Sequence, residues 1–435
     1  MTIKRVFSRM SRYNRQRAVF AVTLLFSFTM TAGRYMQAQS FTVLHTFTNV
    51  PDGAIPFAGL TIDIAGNLYG TTAFGGHRGT DICATGCGTV YKLTRSDSGW
   101  EIAVLYAFDP PSGDGLSPSS RVVFGPDGAL YGETYQGGAH STGTVFRLAP
   151  SHACVTTPCF WEESLYSFPG DYTDGYAPES DVAFDRGGNL YGTTRLGGVG
   201  SCDNDPESCG IVFEILAPVL QWRESVIYDF TQSTGYQPHS GVLFDSTGNM
   251  FGTTAAGGAD DSGTVYELVQ SGGSWTQRVL YSFTGQSDGY HPIGALIQDG
   301  AGNLYGSTAG GGSGGGGTVF ELSLVGDNWT YKLIHSLSGN GGPVAALSMD
   351  GLGNLYGTTE TGGIFGFGNV FKLTQSNGDW TYTSLHDFAN RADGAYPISN
   401  VVIGTAGNLY GTASSGGFLG PFCGGGCGVV WEITP

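Results

Sequence analysis

Basic residues are scarce in this sequence once its first 38 positions are set aside. Seven of the 19 Lys and Arg stand before position 39, which leaves 12 against all 36 Asp and Glu, a balance of −24. A surface of that sign repels phosphate backbones and anionic lipid, so nucleic acid is set aside as a partner. Long apolar runs are missing too. The stretch Ala18 to Ala32 falls short of the roughly 20 residues of an ideal spanning helix, and no segment carries a helical stripe of three turns. There is no phosphate loop, calcium loop, Gly-x-Ser-x-Gly elbow or His-Glu-x-x-His helix, so the linear signatures of nucleotide binding, serine hydrolysis and zinc proteolysis are absent.

What is there begins with Lys4, Arg5, Arg9, Arg12, Arg15 and Arg17, without an acid, ahead of that short apolar run. This is signal-peptide order. Residues 1–38 are therefore read as a signal peptide, cut after Ala38 or nearer Ala32, with an uncleaved anchor as the alternative. The expected location is secreted, extracellular or periplasmic. Eight cysteines form four local pairs, Cys83 with Cys87, Cys154 with Cys159, Cys202 with Cys209 and Cys423 with Cys427. An oxidising compartment lets such pairs close as disulfides. No pair has an adjacent His or a second Cys pair, so disulfides are preferred over zinc, each loop contributing about 2 kcal/mol.

Gly-Asn-Leu-Tyr-Gly at 66–70 returns with small changes at 128–132, 188–192, 248–252, 302–306, 353–357 and 407–411. Seven units of this period fill residues 39–435 as one domain, and such a period points to a solenoid, propeller or array. Each unit holds four short apolar segments between turn residues, in the second unit Arg121–Phe124, Ala129–Thr134, Thr144–Leu148 and Glu163–Phe168. Four short strands with Gly, Asp and Pro between them describe a propeller blade. The Gly-Asn pair predicts a two-residue hairpin turn, and the glycine after Tyr predicts a close approach of packed sheets. Double glycines, as at 75–76 and 137–138, open a longer connection.

The two ends fit one another. Leu44-His45-Thr46-Phe47 aligns with the fourth strands Leu105-Tyr106-Ala107-Phe108 and Leu165-Tyr166-Ser167-Phe168, while Val429–Ile433 aligns with the third strands. The chain thus starts with a lone fourth strand and ends on a unit that lacks one. The predicted fold is all-β, a seven-bladed propeller of four-stranded antiparallel blades, closed by the N-terminal strand completing the last blade.

Gly-Asn-Leu-Tyr-Gly-Thr-Thr at 66–72, a double glycine, then Gly-Thr-Val-Tyr at 88–91 or Gly-Thr-Val-Phe at 143–146 resemble the GloVer-type tandem repeat family of secreted bacterial proteins. The resemblance spans about 41–435. It implies repeat identity and an extracellular location, and brings no catalytic residues.

The aligned turns Asp52-Gly53, Asp114-Gly115, Asp174-Gly175, Asp288-Gly289 and Asp393-Gly394 precede the first strands. They are expected on one face with the double-glycine connections, their carboxylates gathered around the axis. These acids either cap their own turns or bind a ligand or cation. Tyr176, Tyr236 and Tyr290 nearby either stack on a sugar or peptide or wedge adjacent blades. No cofactor is expected, calcium at the acidic turns being the alternative. His45, His335 and His386 stand where sister units carry Tyr, and His239 and His291 flank prolines without a third ligand. Two functions remain. One is a binding or scaffold module for an extracellular glycan or protein. The other is an extracellular carbohydrate-active hydrolase or lyase, marked by unlike residues that break the symmetry near the central channel. The stretches Gly198–Cys209 and Phe418–Gly428 are the first places to look. The ring is expected to act as a monomer, off the membrane once the signal is removed.

Overall fold

Short strands rich in Val, Thr and Tyr alternate with glycine turns along the whole repeat, and they pair into seven separate antiparallel sheets. The computed structural model describes residues 39–77, 83–109, 113–151, 159–170, 173–202, 209–217, 222–339, 341–420 and 423–435. The predicted signal peptide and Cys154 lie outside them. The fourth blade shows the pattern: inner strand Leu243–Phe244, second Met250–Thr254, third Thr264–Ser271 and outer Ser274–Ser282, hydrogen-bonded in that order. In blades 2 and 3 the inner strand is split in two, as Gly115–Pro118 with Val123–Phe124 and Gly175–Pro178 with Ala183–Phe184.

The seventh sheet joins Ser40–Thr46 to Val429–Thr434, Leu409–Ala413 and Val402–Ile403. The N-terminal strand therefore completes the last blade, and the architecture is a seven-bladed β-propeller. The closing seam uses the same contact as the others. Phe108 at the end of one outer strand meets Phe146 of the next blade edge-to-face at 5.3 Å, and Phe47 meets Tyr91 in the same way at 5.1 Å. All four rings are fully buried, each worth about 2–3 kcal/mol in apolar burial.

The repeat motif explains itself in these packings. Gly70 is the cross-strand partner of Tyr91, and a Cβ on Gly70 would stand 2.6 Å from the ring. The glycine is thus required by the neighbouring aromatic. The turn before Leu-Tyr is longer than a two-residue hairpin. Asp63 and Asn67 close it through Asp63 N–H to the Asn67 carbonyl at 3.0 Å, with Gly66 at φ 84°. The Asp63 carboxylate accepts from Asn67 N–H, Asn67 Nδ2 and Tyr69 Oη, at 2.9, 2.7 and 3.1 Å. An aspartate three residues upstream of the Gly-Asn pair organises the turn, and Tyr69 is its clamp. Asp299 and Asp350 repeat the arrangement with Tyr305 and Tyr356.

The outer strands of blades 1 to 6 carry a bulge at the same place, as between Val90/Tyr91 and Val265/Tyr266. A bulge re-aims the side chains beyond it. Here it turns Tyr106, Tyr166 and Tyr281 toward the Asp-Gly turns that follow.

Candidate ligand site on the propeller axis

The five Asp-Gly aspartates point to the outer strands. Asp52 accepts from Thr48 N–H and Oγ1 and pairs with His45 Nε2 at 2.8 Å. Asp114 accepts from Tyr106 and from Asp109 N–H, Asp174 from Tyr166 and Gly175 N–H. Asp288 accepts from Tyr281, Thr284 N–H and Thr284 Oγ1, and Asp393 pairs with His386 and accepts from Ala389 N–H. Burial would raise the Asp52 and Asp288 pKa values, but these hydrogen bonds outweigh it and hold both below the usual carboxylate value. The turns do share a face with the double glycines, since Gly76 N–H donates to Asn49 O and Gly138 N–H to Asp114 O. None of the five acids lines the axial cavities, and neither do Tyr176, Tyr236 or Tyr290. Tyr236 is 3% exposed and sits in an inter-blade core. Tyr290 lies against Gly310, and Tyr176 pairs with Leu196 across its sheet.

What reaches the axis follows the prolines. A central cavity of about 120 Å³ is lined from all seven blades, and its outer ring is the residue after each proline. That ring reads Phe57, Ser119, Glu179, His239, Ile293, Val344 and Ile398. The residue before the proline has positive φ in six blades: Ile55, Ser117, Ala177, Gln237, His291 and Tyr396, at 53 to 58°. That conformation is rare for side-chain-bearing residues and rarer before proline, so it needs support. The N–H of Ile55, Ser117 and Gln237 donates at 2.8–2.9 Å to the carbonyls of Cys427, Cys87 and Cys209 in the preceding loops. These cysteines close disulfides with Cys423, Cys83 and Cys202. The disulfides therefore pin the carbonyls that hold three rim positions in place.

The rim is divided. Blades 5, 6, 7 and 1 supply Ile293, Val344, Ile398 and Phe57, the last 41% exposed. Blades 2, 3 and 4 supply Ser119, Glu179 and His239. On the face of the Asp-Gly turns the channel widens to a cavity of about 640 Å³, adding Phe74, Tyr135 and Gln136. Glu179 pairs with His239 Nδ1 at 3.1 Å and Arg195 at 3.3 Å. Burial would raise its pKa, yet His239 and Arg195 outweigh that and hold it low, as a carboxylate. A carboxylate only accepts, so His239 Nδ1 is the donor of that pair.

One layer deeper, Asp181 accepts Arg121 N–H at 2.9 Å and Nε at 3.0 Å, tying blade 2 to blade 3. Asn400 fills the space a side chain at Gly59 would need, its Oδ1 lying 1.7 Å from the built Cβ. Beyond this neck a cavity of about 480 Å³ has largely aliphatic walls, including Leu243, Ile297 and Val402. Behind the rim, Glu133 stands where sister blades have Thr or Ser. It is fully buried, accepts Ser180 N–H at 2.9 Å, and burial drives its pKa well above normal. Among the described residues no three of His, Cys, Asp and Glu converge on a metal position.

Unlike residues thus break the symmetry at the axis, but in the post-proline ring. The stretches Gly198–Cys209 and Phe418–Gly428 instead carry the disulfides; residues 203–208 and 421–422 lie outside the described residues. The signal for the rim was present as a proline-anchored position at which the seven units carry six different residues.

Two consecutive matches to the Gloeobacter/Verrucomicrobia repeat model cover residues 24–204 and 202–424. No curated protein matches the chain. Among solved structures, one similar chain is the extracellular domain of a protein described as a hybrid two-component system, BT3049 of B. thetaiotaomicron. It has 14% identity and a TM-score of 0.50, over 91% of this chain and 41% of that one. The chain thus spans about two fifths of the length of that extracellular-domain chain. The extracellular domain of BT4673, described as a one-component system of the same organism, gives 9% identity and 0.49 over 89% and 40%. A Thermus thermophilus protein described as a glucose dehydrogenase gives 12% and 0.40 over 91% and 100%. At these identities the likeness speaks to fold alone.

Proposed function

The chain belongs to the Gloeobacter/Verrucomicrobia repeat family, and on that premise we propose that its propeller is an extracellular binding module that takes a neutral glycan end-on into the axial cavity. The observation that carries this is the divided rim. A sugar ring has an apolar face and a polar edge, and the cavity offers Phe57 with aliphatic neighbours on one side and Ser119, Glu179, His239 and Gln136 on the other. Sites for small ligands combine such apolar walls with a few convergent polar groups. Charge at the rim is internally balanced by Arg195 on Glu179 and Arg121 on Asp181, while the acidic chain disfavours anionic sugars. Three disulfides and the leader read at 1–38 favour an oxidising location outside the cytoplasm.

A second reading, a carbohydrate-active enzyme, draws on Glu179 and Asp181, two carboxylates in the segment between the inner-strand pieces Gly175–Pro178 and Ala183–Phe184. Both are ion-paired, and glycoside hydrolysis needs one carboxyl held as the acid, so binding is preferred. A glycan array read for both retention and products tests the two. Retention that falls at least tenfold in Glu179→Ala and Phe57→Ala, with no products, supports the binding module. Released products point to the enzyme, and unchanged retention in both variants removes the axial site.

A further inference from the structure

One outer-strand position recurs through blades 1 to 6, and in blades 2 to 5 it faces the turn of the preceding seam that aligns with the Asp-Gly turns. It is the residue opposite Leu93, Leu148, Ile215, Leu268, Leu322 or Leu373 on the third strand, and it reads Ile102, Glu162, Glu224, Gln277, Tyr331 and Tyr382. Two sister blades show what the position does. Gln277 Nε2 donates to the Thr234 carbonyl at 3.1 Å, and Tyr331 Oη donates to the Asp288 carbonyl at 3.0 Å. Thr234 and Asp288 are the residues that align with Asp114 and Asp174. In blades 4 and 5 the position is a hydrogen-bond donor to the turn, and a glutamate can take that role only with a proton on its carboxyl.

The surroundings agree. Glu162 is 8% exposed, and Oε1 of both Glu162 and Glu224 is buried without a hydrogen-bond partner among the described residues. Asp114 and Glu163 face Glu162, with Asp109 beyond Tyr106, and Asp174 faces Glu224. A buried carboxylate beside other carboxylates, with an unpaired oxygen, is costly. We propose that Glu162 and Glu224 are proton-bearing donors that close the seams on either side of blade 2, so that these seams are locked in acid and loosened in base.

Burial first, and then the neighbouring acids, push both carboxyls up to about 8. The direction of the linkage follows: a raised folded-state pKa gives stability that is complete below the unfolded value of about 4.3 and is lost as pH rises through the folded value. Melting curves from pH 5 to 9 test this on the exported chain. Glu162→Gln with Glu224→Gln installs the residue blade 4 already uses. It should melt near wild type at pH 5, melt several degrees higher at pH 9, and lose an infrared carbonyl band of protonated carboxyl at pH 7. Gln277→Glu should build a third lock and steepen the alkaline loss. Parallel melting profiles for all three proteins, with the infrared band unchanged in the double variant, would overturn the proposal.

Discussion

The Thr412 hydroxyl donates to the Ala58 carbonyl at 3.1 Å, across 354 residues of chain. Thr71 with Ser120 and Thr193 with Ser240 make the same bond between consecutive blades, so the first and last blades are neighbours like any others. Around it, Phe47 N–H donates to Gly428 O, and a Cβ on Gly428 would come 2.4 Å from Pro56 Cδ.

Removing Gln39–Thr48 should accordingly open the ring. Phe47 is fully buried, and its loss with the half-buried Leu44 removes about 3–4 kcal/mol of apolar burial before strand pairing is counted. Melting temperature should drop and proteolysis should start at the exposed edge of Val429–Thr434. A gentler variant, Gly428→Ala, meets both the proline and a φ of 92° and should cost more than about 1 kcal/mol.

Oxidation supports the rim as well as the fold. All four cysteine pairs should be closed in the exported protein, with no thiol labelled by alkylation in mass spectrometry. Reduction under native conditions should weaken binding of an array-identified glycan several-fold, because the Cys87, Cys209 and Cys427 carbonyls hold the residues before Pro118, Pro238 and Pro56. A stoichiometric bound metal would contradict the disulfide assignment.

Much of the fold was legible because its determinants are local and repeated. The glycine opposite Tyr91 and the strand-ending Phe47 each recur in sister units, so spacing alone exposes blades and closure. The turn at Asp63 was misread because its organising aspartate varies in context and its partner, Tyr69, lies six residues on. The site was less legible for a geometric reason. Asp114 and Glu179 both stand near a proline, yet one turns to Tyr106 on the outer strand and the other to the axis. That difference is set by the left-handed residue before the proline and by a bulge in the outer strand, neither of which spacing reveals. His239 and Glu179 are 60 residues apart and meet only because blades 3 and 4 are adjacent.

Acid should destabilise the protein through the turn aspartates. Burial opposes ionisation of Asp63, Asp288, Asp299 and Asp350, but hydrogen bonds outweigh it and depress all four pKa values. Their stabilisation is complete above the unfolded value of about 3.9 and is lost as pH falls through the folded values. Denaturation midpoints should fall steeply below about pH 4. Asp288→Asn should cost about 1 kcal/mol at pH 7 and flatten that acid limb.

Calcium should matter little if those acids cap turns. The Asp114, Asp174 and Asp288 oxygens are already engaged by Tyr106, Tyr166 and Thr284. Millimolar calcium should leave the melting temperature of wild type unchanged, and equally that of the triple Asn variant. A calcium-dependent rise abolished in the triple variant would reinstate a cation at the turns.

The axial site is tested most directly by hydrogen exchange with and without an array-identified glycan at saturation. The account predicts new protection in the segments around Phe57, Ser119, Glu179 and His239, with the outer strands unchanged. Saturable binding with protection confined to the Asp-Gly turns and outer strands, and none in those four segments, would contradict it.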